Sequence, residues 1–315
     1  LIEGETMTKQ EWLEKRRTGI GGSDVAAILG LNPWVTPLQV YQNKKGLWES
    51  EETPSMDWGT RLEPVIRQKY CDVTGNQVSF DLPMFEHPEH KFMHASIDGL
   101  VMEEGNPAIV LECKTARTDI GWGEPGTDQI PEYYQTQVQH YMTVLNVNRC
   151  DIAVLIGGSD FRIYHVSNNP ELAELLIEEE KDFWENHVLK DIPPEPRTAE
   201  DLQILFPQSN GNSLEVSDDQ KDLLDAVKRY SQNRAQISQL EKTIQEDENL
   251  IKKVMGDNEI LNLKGKKIFS WKSTKPTKKF DLNRFKKEEP ETYGKYMMPA
   301  QSSRRFCFYA KGLEE

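Results

Sequence analysis

The feature that most constrains this chain is a run of 38 residues, Asp218 to Met255, with neither glycine nor proline. Ser217-Asp-Asp-Gln220 opens it in the S-x-x-Q form of a capping box, with acid in the first turn. Leu223, Val227, Tyr230, Arg234, Ile237, Leu240, Ile244, Ile251 and Val254 then recur mostly at spacings of three and four, the period of an amphipathic helix. Gly256 supplies the stop. At 1.5 Å per residue such a helix is about 55 Å long, more than a small domain is wide. The chain is therefore expected to consist of a body, a long helix and a tail. Arg234 and Asp247 interrupt the apolar stripe, which leaves both a dimeric coiled coil and packing along the chain itself open.

Other punctuation agrees. Asp191-Ile-Pro-Pro-Glu-Pro-Arg197 is a proline-rich stop, and Pro207-Gln-Ser-Asn-Gly-Asn-Ser213 is turn-rich. The expected division is a body of 1–197, a linker of 198–216, the helix of 217–255 and a β-rich extension of 256–315. Charge divides the same way. The chain carries 38 basic and 52 acidic residues, net −14, which by itself argues against a nucleic-acid partner. From Lys252 to Lys311, however, 16 Lys and Arg stand against 6 Asp and Glu, a net of +10, so the remainder carries −24. That is a basic appendage on an acidic body. No stretch approaches the ~18 apolar residues of a membrane span, so an integral membrane protein is excluded. Cys71, Cys113, Cys150 and Cys307 form no C-x-x-C pair, which speaks against a zinc or iron–sulfur site and against a disulfide framework. The first thirty residues hold no apolar signal core, and a reducing cytoplasm is expected.

Within the body, helices are expected at Lys9–Arg17, Ser23–Leu29, Arg61–Thr74, Pro131–Leu145 and Pro170–Leu189. Strands are expected at Ala95–Val101, Ala108–Lys114, Asp151–Gly157 and Phe161–Val166. This order implies an α/β fold, a mixed sheet with helices on its faces. In the tail, Ile260–Leu263 and Lys267–Trp271 around a Lys-Gly-Lys turn read as a hairpin, and Arg304–Tyr309 as one more strand.

The chemistry concentrates in Ser96-Ile-Asp98-Gly99 and Leu111-Glu-Cys-Lys-Thr115. On a strand, residues two apart share a face, so Glu112 and Lys114 lie together while Cys113 points into the core. An acid and an amine at the end of an apolar strand are not ordinary core residues. With Asp98 on the neighbouring strand, two carboxylates could hold a divalent cation, and the lysine could position water or steady a phosphate charge. Gly21-Gly22-Ser23 opens a helix where a phosphate could approach the backbone, with Ser23 offering a hydroxyl and Arg17 a forked cation. Gln137 and Tyr141, spaced i and i+4, share a helix face.

Asp98…Glu112-Cys-Lys114 resembles the PD-(D/E)xK nuclease motif, with Ile97 where that motif has proline. Gly59-Thr-Arg-Leu-Glu63 resembles the G-x-x-x-E helix motif, and Gln137-Val-Gln-His-Tyr141 the Q-x-x-x-Y motif of RecB-type nucleases. The segment from Arg17 through Ser23 to Gly30-Leu-Asn-Pro-Trp34 resembles the N-terminal signature of phage recombinase exonucleases of the YqaJ and lambda-exonuclease kind. The likeness covers residues 8 to about 190. The tail, with Ile268-Phe-Ser-Trp271 and Ser303-Arg-Arg-Phe306, resembles an extension found in some members.

The resemblance implies a restriction-endonuclease-like core acting as a Mg²⁺-dependent 5′→3′ double-strand DNA exonuclease, with Mn²⁺ as a substitute metal. Asp98, Glu112, Glu63 and the Cys113 carbonyl would bind metal, Lys114 would handle the nucleophilic water, and Gln137 would orient that lysine or a phosphate. Arg17 and Ser23 would hold the 5′ phosphate, with Tyr141 and Gln135 as further candidates. His94 and His140 are secondary. The resemblance further implies duplex ends as substrate, a single-strand annealing protein as partner, a homo-oligomer (a ring trimer in lambda-type relatives), and a bacterial cytoplasm with a phage or prophage gene. Two alternatives stand beside it: an endonuclease of the superfamily with the same chemistry, and a non-catalytic DNA-binding or scaffold protein with the long helix and the basic tail as its working parts. The tail lysines Lys264, Lys266, Lys267, Lys272, Lys278 and Lys279 could instead serve an acidic partner.

Overall fold

The computed structural model describes residues 8–49, 52–275, 277–298 and 304–309. Residues 1–205 and 206–315 form two compact units. The first opens with α1 (Lys9–Arg17), β1 (Ile20–Gly21), α2 (Gly22–Ile28), α3 (Pro37–Lys44) and α4 (Pro54–Thr74). It continues through β2 (Val78–Ser79), β3 (Phe85–Glu86), β4 (Met93–Ala95), β5 (Gly99–Glu103), β6 (Asn106–Ala116), α5 (Glu132–Leu145), β7 (Arg149–Ile156) and β8 (Asp160–Ser167). The unit closes with α6 (Pro170–Asp182), a π-helical turn (Phe183–Val188) and α7 (Ala199–Leu205), the last inside the segment read as linker.

Five strands form a mixed sheet in the order β2-β5-β6-β7-β8. Within this sheet β6 and β7 are the one parallel pair, with Glu112 opposite Ile152 and Lys114 opposite Val154. A parallel neighbour requires a crossover, and α5 is that crossover. The alternation of β6 explains its central place. Val110 packs with Val138, Met142, Ile152 and Val154 on the α5 side. Ile109 and Leu111 pack with Ile66 and Tyr70 of α4 on the other. A strand apolar on both faces can only be stable when covered on both.

The expected strand Ala95–Val101 is two strands. β4 joins a small sheet of order β1-β4-β3, while β5 joins the large one. Ser96, Ile97 and Asp98 cross from one sheet to the other. Gly99 permits the crossing. A Cβ there would stand 2.7 Å from Val78 Cγ1 and 3.3 Å from Leu111 Cδ2. The break sets Asp98 at the head of β5, beside the middle of β6. Helix α3 was not expected from the sequence; Thr36 caps it and Pro37 begins it.

In the second unit, α8 (Lys221–Met255) runs for 35 residues. It starts later than Asp218 because Gln220, although its side chain accepts from the Ser217 N–H at 3.1 Å, has a non-helical backbone. β9 (Ile260–Leu263) and β10 (Lys266–Ser270) pair as the expected hairpin. They are followed by the short helices α9 (Leu282–Glu288) and α10 (Pro290–Lys295), so the extension is not uniformly β. Arg304–Tyr309 is not a strand. It pairs with no other strand among the described residues, and Phe308 instead rests against Tyr230 of α8, with ring centroids 5.1 Å apart. Ser303 lies outside the described residues.

Candidate active site

Three elements converge where β6 passes the head of β5. The Asp98 carboxylate accepts the Cys113 N–H at 2.7 Å, so Cys113 contributes backbone, while its side chain packs toward α4. Glu112 and Lys114 project together toward α5, and Lys114 Nζ donates to Glu112 Oε1 at 2.5 Å. Gln137 of α5 donates to the same Oε1 at 2.8 Å and lies 2.8 Å from the Tyr141 hydroxyl, as their i, i+4 spacing on the inner face of α5 allows. Tyr134, one turn earlier, lies under the ammonium, 4.8 Å from ring centre to Lys114 Nζ. Glu63 reaches the same region from α4 but is ion-paired with Arg67. Gln135 is used elsewhere, donating to the Asp128 carbonyl.

The electrostatics are strained toward excess negative charge. Burial, and then the Asp98 charge, push Glu112 up to about 8 against the pull of Lys114. Burial also raises Asp98. Glu63 is raised by burial and then by Asp98. Burial opposes the charge on Lys114, yet Glu112 holds its pKa above the usual lysine range. Among the described residues, Glu112 Oε2 is buried with no hydrogen-bond partner. An unpartnered carboxylate oxygen in the interior is costly. Two carboxylates of raised pKa, the buried Glu112 with a free oxygen and the half-buried Asp98, are the donor set a hard divalent cation satisfies. Among the described residues no three His, Cys, Asp or Glu side chains close into a ready-made cage. The fit therefore rests on Asp98 and Glu112, with Glu63 available only on release from Arg67.

The N-terminal signature folds differently from the expectation in two respects. Ser23 is bonded by Arg16, whereas Arg17 turns away to pair with Glu49. Successive helical residues point about 100° apart, so only one of two adjacent arginines can face Ser23. Second, Gly22 does not leave room for a phosphate. A Cβ there would sit 2.5 Å from Tyr141 Cε1 and 3.1 Å from the Gln137 carbonyl, so the glycine lets α2 press onto α5.

Behind Ser23 lies a charged group the sequence did not disclose. Asp24 accepts from Lys44 Nζ at 2.6 Å and from the Gly21 N–H at 2.9 Å, and Arg16 stands at 3.6 Å. Burial alone would raise Asp24, but Lys44 and Arg16 outweigh it and hold the carboxyl at about 2. The only sequence signal was that Asp24 follows Ser23 in the first turn of α2. Lys44 lies on the unforeseen α3. His140 is structural, its Nδ1 2.8 Å from Glu180 Oε1 and its Nε2 2.9 Å from the His94 carbonyl, all enclosed in the core. His94 Nε2 stands 3.1 Å from the Lys91 carbonyl.

The model of the YqaJ-like viral recombinase domain matches residues 11–148, which span α1 through the Gln137–Tyr141 face of α5. The uncharacterized protein YqaJ of Bacillus subtilis (strain 168) is 31% identical over 304 residues, covering 94% of this chain and 92% of that protein. The chain belongs to the YqaJ-like viral recombinase family. Among solved structures, the alkaline exonuclease LHK-Exo from Laribacter hongkongensis aligns with a TM-score of 0.47 at 20% identity, covering 58% of this chain and 94% of that one. A phage-related exonuclease from Haemophilus somnus aligns with a TM-score of 0.42 at 12% identity, covering 55% and 96%. The family match runs from the Arg16–Ser23 segment to the helix that holds Glu112. No helix among the described residues is long and apolar enough to cross a membrane.

Proposed function

We propose that this protein is a Mg²⁺-dependent exonuclease that degrades one strand of duplex DNA from 5′-phosphorylated ends and leaves a 3′ single-stranded tail. The observation that carries the reading is the Asp98–Glu112–Lys114 group with its buried, unpartnered Glu112 oxygen. Asp98 and Glu112 would hold the cation, with Mn²⁺ as a substitute. When bound, it supplies Lewis-acid polarisation of the phosphodiester and makes water a better nucleophile.

The chain's own residues supply position and charge. Gln137 and Lys114 both bond Glu112 Oε1, which keeps the carboxylate in one rotamer and leaves its other oxygen for the cation. Lys114, kept protonated between Glu112 and the Tyr134 ring, donates to the attacked phosphate or to the incoming water and offsets charge that grows as the bond to the leaving oxygen lengthens. Arg16 with Ser23 forms the 5′-phosphate grip, in the place expected for Arg17, since a guanidinium beside a hydroxyl matches a phosphate monoester. The reading pairs the protein with a single-strand annealing protein that takes up the 3′ tail, in a host bacterium's cytoplasm, and with a homo-oligomeric state. A net charge of −14 is compatible with DNA binding when cations gather at the grip and the acidic surface lies elsewhere.

The test is digestion of linear duplex DNA bearing 5′-phosphate or 5′-hydroxyl ends, and of covalently closed circles, with Mg²⁺ or EDTA. Progressive loss from 5′-phosphorylated ends is expected, absent with EDTA and reduced at least ~10²-fold by Lys114→Ala. Cutting of closed circles would replace the exonuclease with an endonuclease. DNA binding without cleavage would leave only a binding module.

A further inference from the structure

A row of aromatic rings leads from open surface to Lys114. Trp34 lies in the turn between α2 and α3 and is 68% exposed. Its ring meets Tyr133 edge-on, 5.2 Å between centroids at 81°. Tyr133 stands 4.4 Å from Tyr134, and Tyr134 carries the Lys114 ammonium. Inward, Tyr134 continues to the buried Trp122 at 5.7 Å, so the inner end of the row is anchored in the core.

The outer end is held as firmly. Asn32 Oδ1 accepts from the Trp34 N–H at 2.8 Å and from the Val35 N–H at 3.0 Å. The Leu31 and Asn32 N–H groups both donate to the Ala26 carbonyl. The backbone that displays the indole is therefore bonded on both sides of it. An isolated exposed apolar residue needs no explanation. An exposed indole on a fixed turn, joined through two tyrosines to a cation of the candidate site, does. Single-stranded nucleic acid is bound by this combination, cations following the phosphates and aromatic faces stacking on bases.

We propose that Trp34, braced by Tyr133, is a stacking platform for the nucleobases of the DNA strand being degraded. The proposal rests on the nuclease reading and deepens it by naming where the bases go. Lys114 takes the phosphate side of that strand, and the ring row takes the base side. Stacking is tolerant of sequence because every base has a π-face. An exonuclease must accept whichever base comes next, so a site without base-edge hydrogen bonds suits it.

The test uses the full-length protein in EDTA, where the substrate stays intact. Binding is read by fluorescence anisotropy on a duplex whose three 5′-terminal nucleotides are unpaired, and on the same duplex with abasic sites at those three positions. For the natural protein the abasic substrate should bind ~5- to 150-fold more weakly, the range expected from stacking one base on one ring. Trp34→Ala should lose that factor on the normal substrate and show no further loss on the abasic one. Trp34→Phe should restore most of it. Because the indole is exposed, thermal unfolding of both variants should match the natural protein, which separates lost stacking from lost fold.

Trp34→Ala binding the normal substrate as tightly as the natural protein would overturn the platform. So would an abasic penalty as large in the variant as in the natural protein. Digestion in Mg²⁺ is run beside it. Cleavage with no Trp34 effect sinks the platform and leaves the nuclease standing. A base-dependent Trp34 effect without cleavage sinks the nuclease and leaves base stacking standing. A natural protein that neither binds nor cuts DNA sinks both.

Discussion

Asp24→Asn should be among the most damaging single changes in the first unit, although the side chain it alters is small. The Lys44 side chain is fully buried and its ammonium bonds Asp24 at 2.6 Å. The amide can still accept that hydrogen bond but carries no charge, so Lys44 is left buried without its nearest counter-ion. Breaking such a pair from one side costs about 3–5 kcal/mol, a large part of the roughly 5–15 kcal/mol that holds a domain. The pH dependence gives an independent check. Asp24 has a folded pKa of about 2, below its unfolded value of about 3.9. A depressed acid stabilises the fold above its unfolded pKa and loses that contribution as pH falls through the folded value. Near neutral pH the contribution is about 2–3 kcal/mol, fading from about pH 4 toward pH 2. Urea unfolding of the full chain followed by tryptophan fluorescence reports on the first unit, since six of the seven tryptophans precede residue 206. Asp24→Asn should unfold earlier at pH 7, the gap should close toward pH 2, and Lys44→Met added to Asp24→Asn should recover most of the loss. A cost below about 1 kcal/mol at pH 7, or a gap unchanged at pH 2, would refute the reasoning.

Two further outcomes follow from the same region. Gly22→Ala should destabilise by about 1–3 kcal/mol through overpacking against Tyr141, and DNA cleavage should fall with it because Gln137 shares that contact; the melting temperature and the digestion rate are the readouts. Arg16→Ala should erase the preference for 5′-phosphorylated over 5′-hydroxyl ends, whereas Arg17→Ala should preserve it, as the ratio of the two digestion rates measures. Equal effects of the two arginines would return the phosphate grip to an undifferentiated basic patch.

Much of the fold is written in local periodicity. The continuous apolar run Ile109-Val110-Leu111 marks a strand covered on both faces, and the strand period of two puts Glu112 and Lys114 side by side, as the 2.5 Å contact shows. The period of 3.6 in Glu132–Leu145 joins Gln137 to Tyr141. A glycine- and proline-free run makes α8, and the Lys-Gly-Lys turn makes its hairpin. Local pattern misled where a neighbouring element decided the outcome. Ala95–Val101 reads as one strand, yet two different sheets compete for its halves. Arg304–Tyr309 has the residues of a strand, but rests on Tyr230 rather than on another strand.

The site divides along the same line. Residues that act through i+2 or i+4 neighbours were legible, because backbone geometry alone sets which side chains share a face. The Asp98 bond to the Cys113 N–H, the choice of Arg16 over Arg17, the Asp24–Lys44 pair and the brace of Trp34 by Tyr133 were not. Most of these join separate elements, from 15 residues apart in the first case to 99 in the last. The choice of Arg16 spans only seven residues but depends on how α1 is rotated toward α2. Sequence by itself determined which surfaces are apolar, which are charged, and which faces carry the acid and the amine. Only tertiary packing, with α4 and α5 against the strands, α2 against α5 and α3 against α2, decided which of those charges meet, because burial sets both their orientation and the cost of leaving one unpaired.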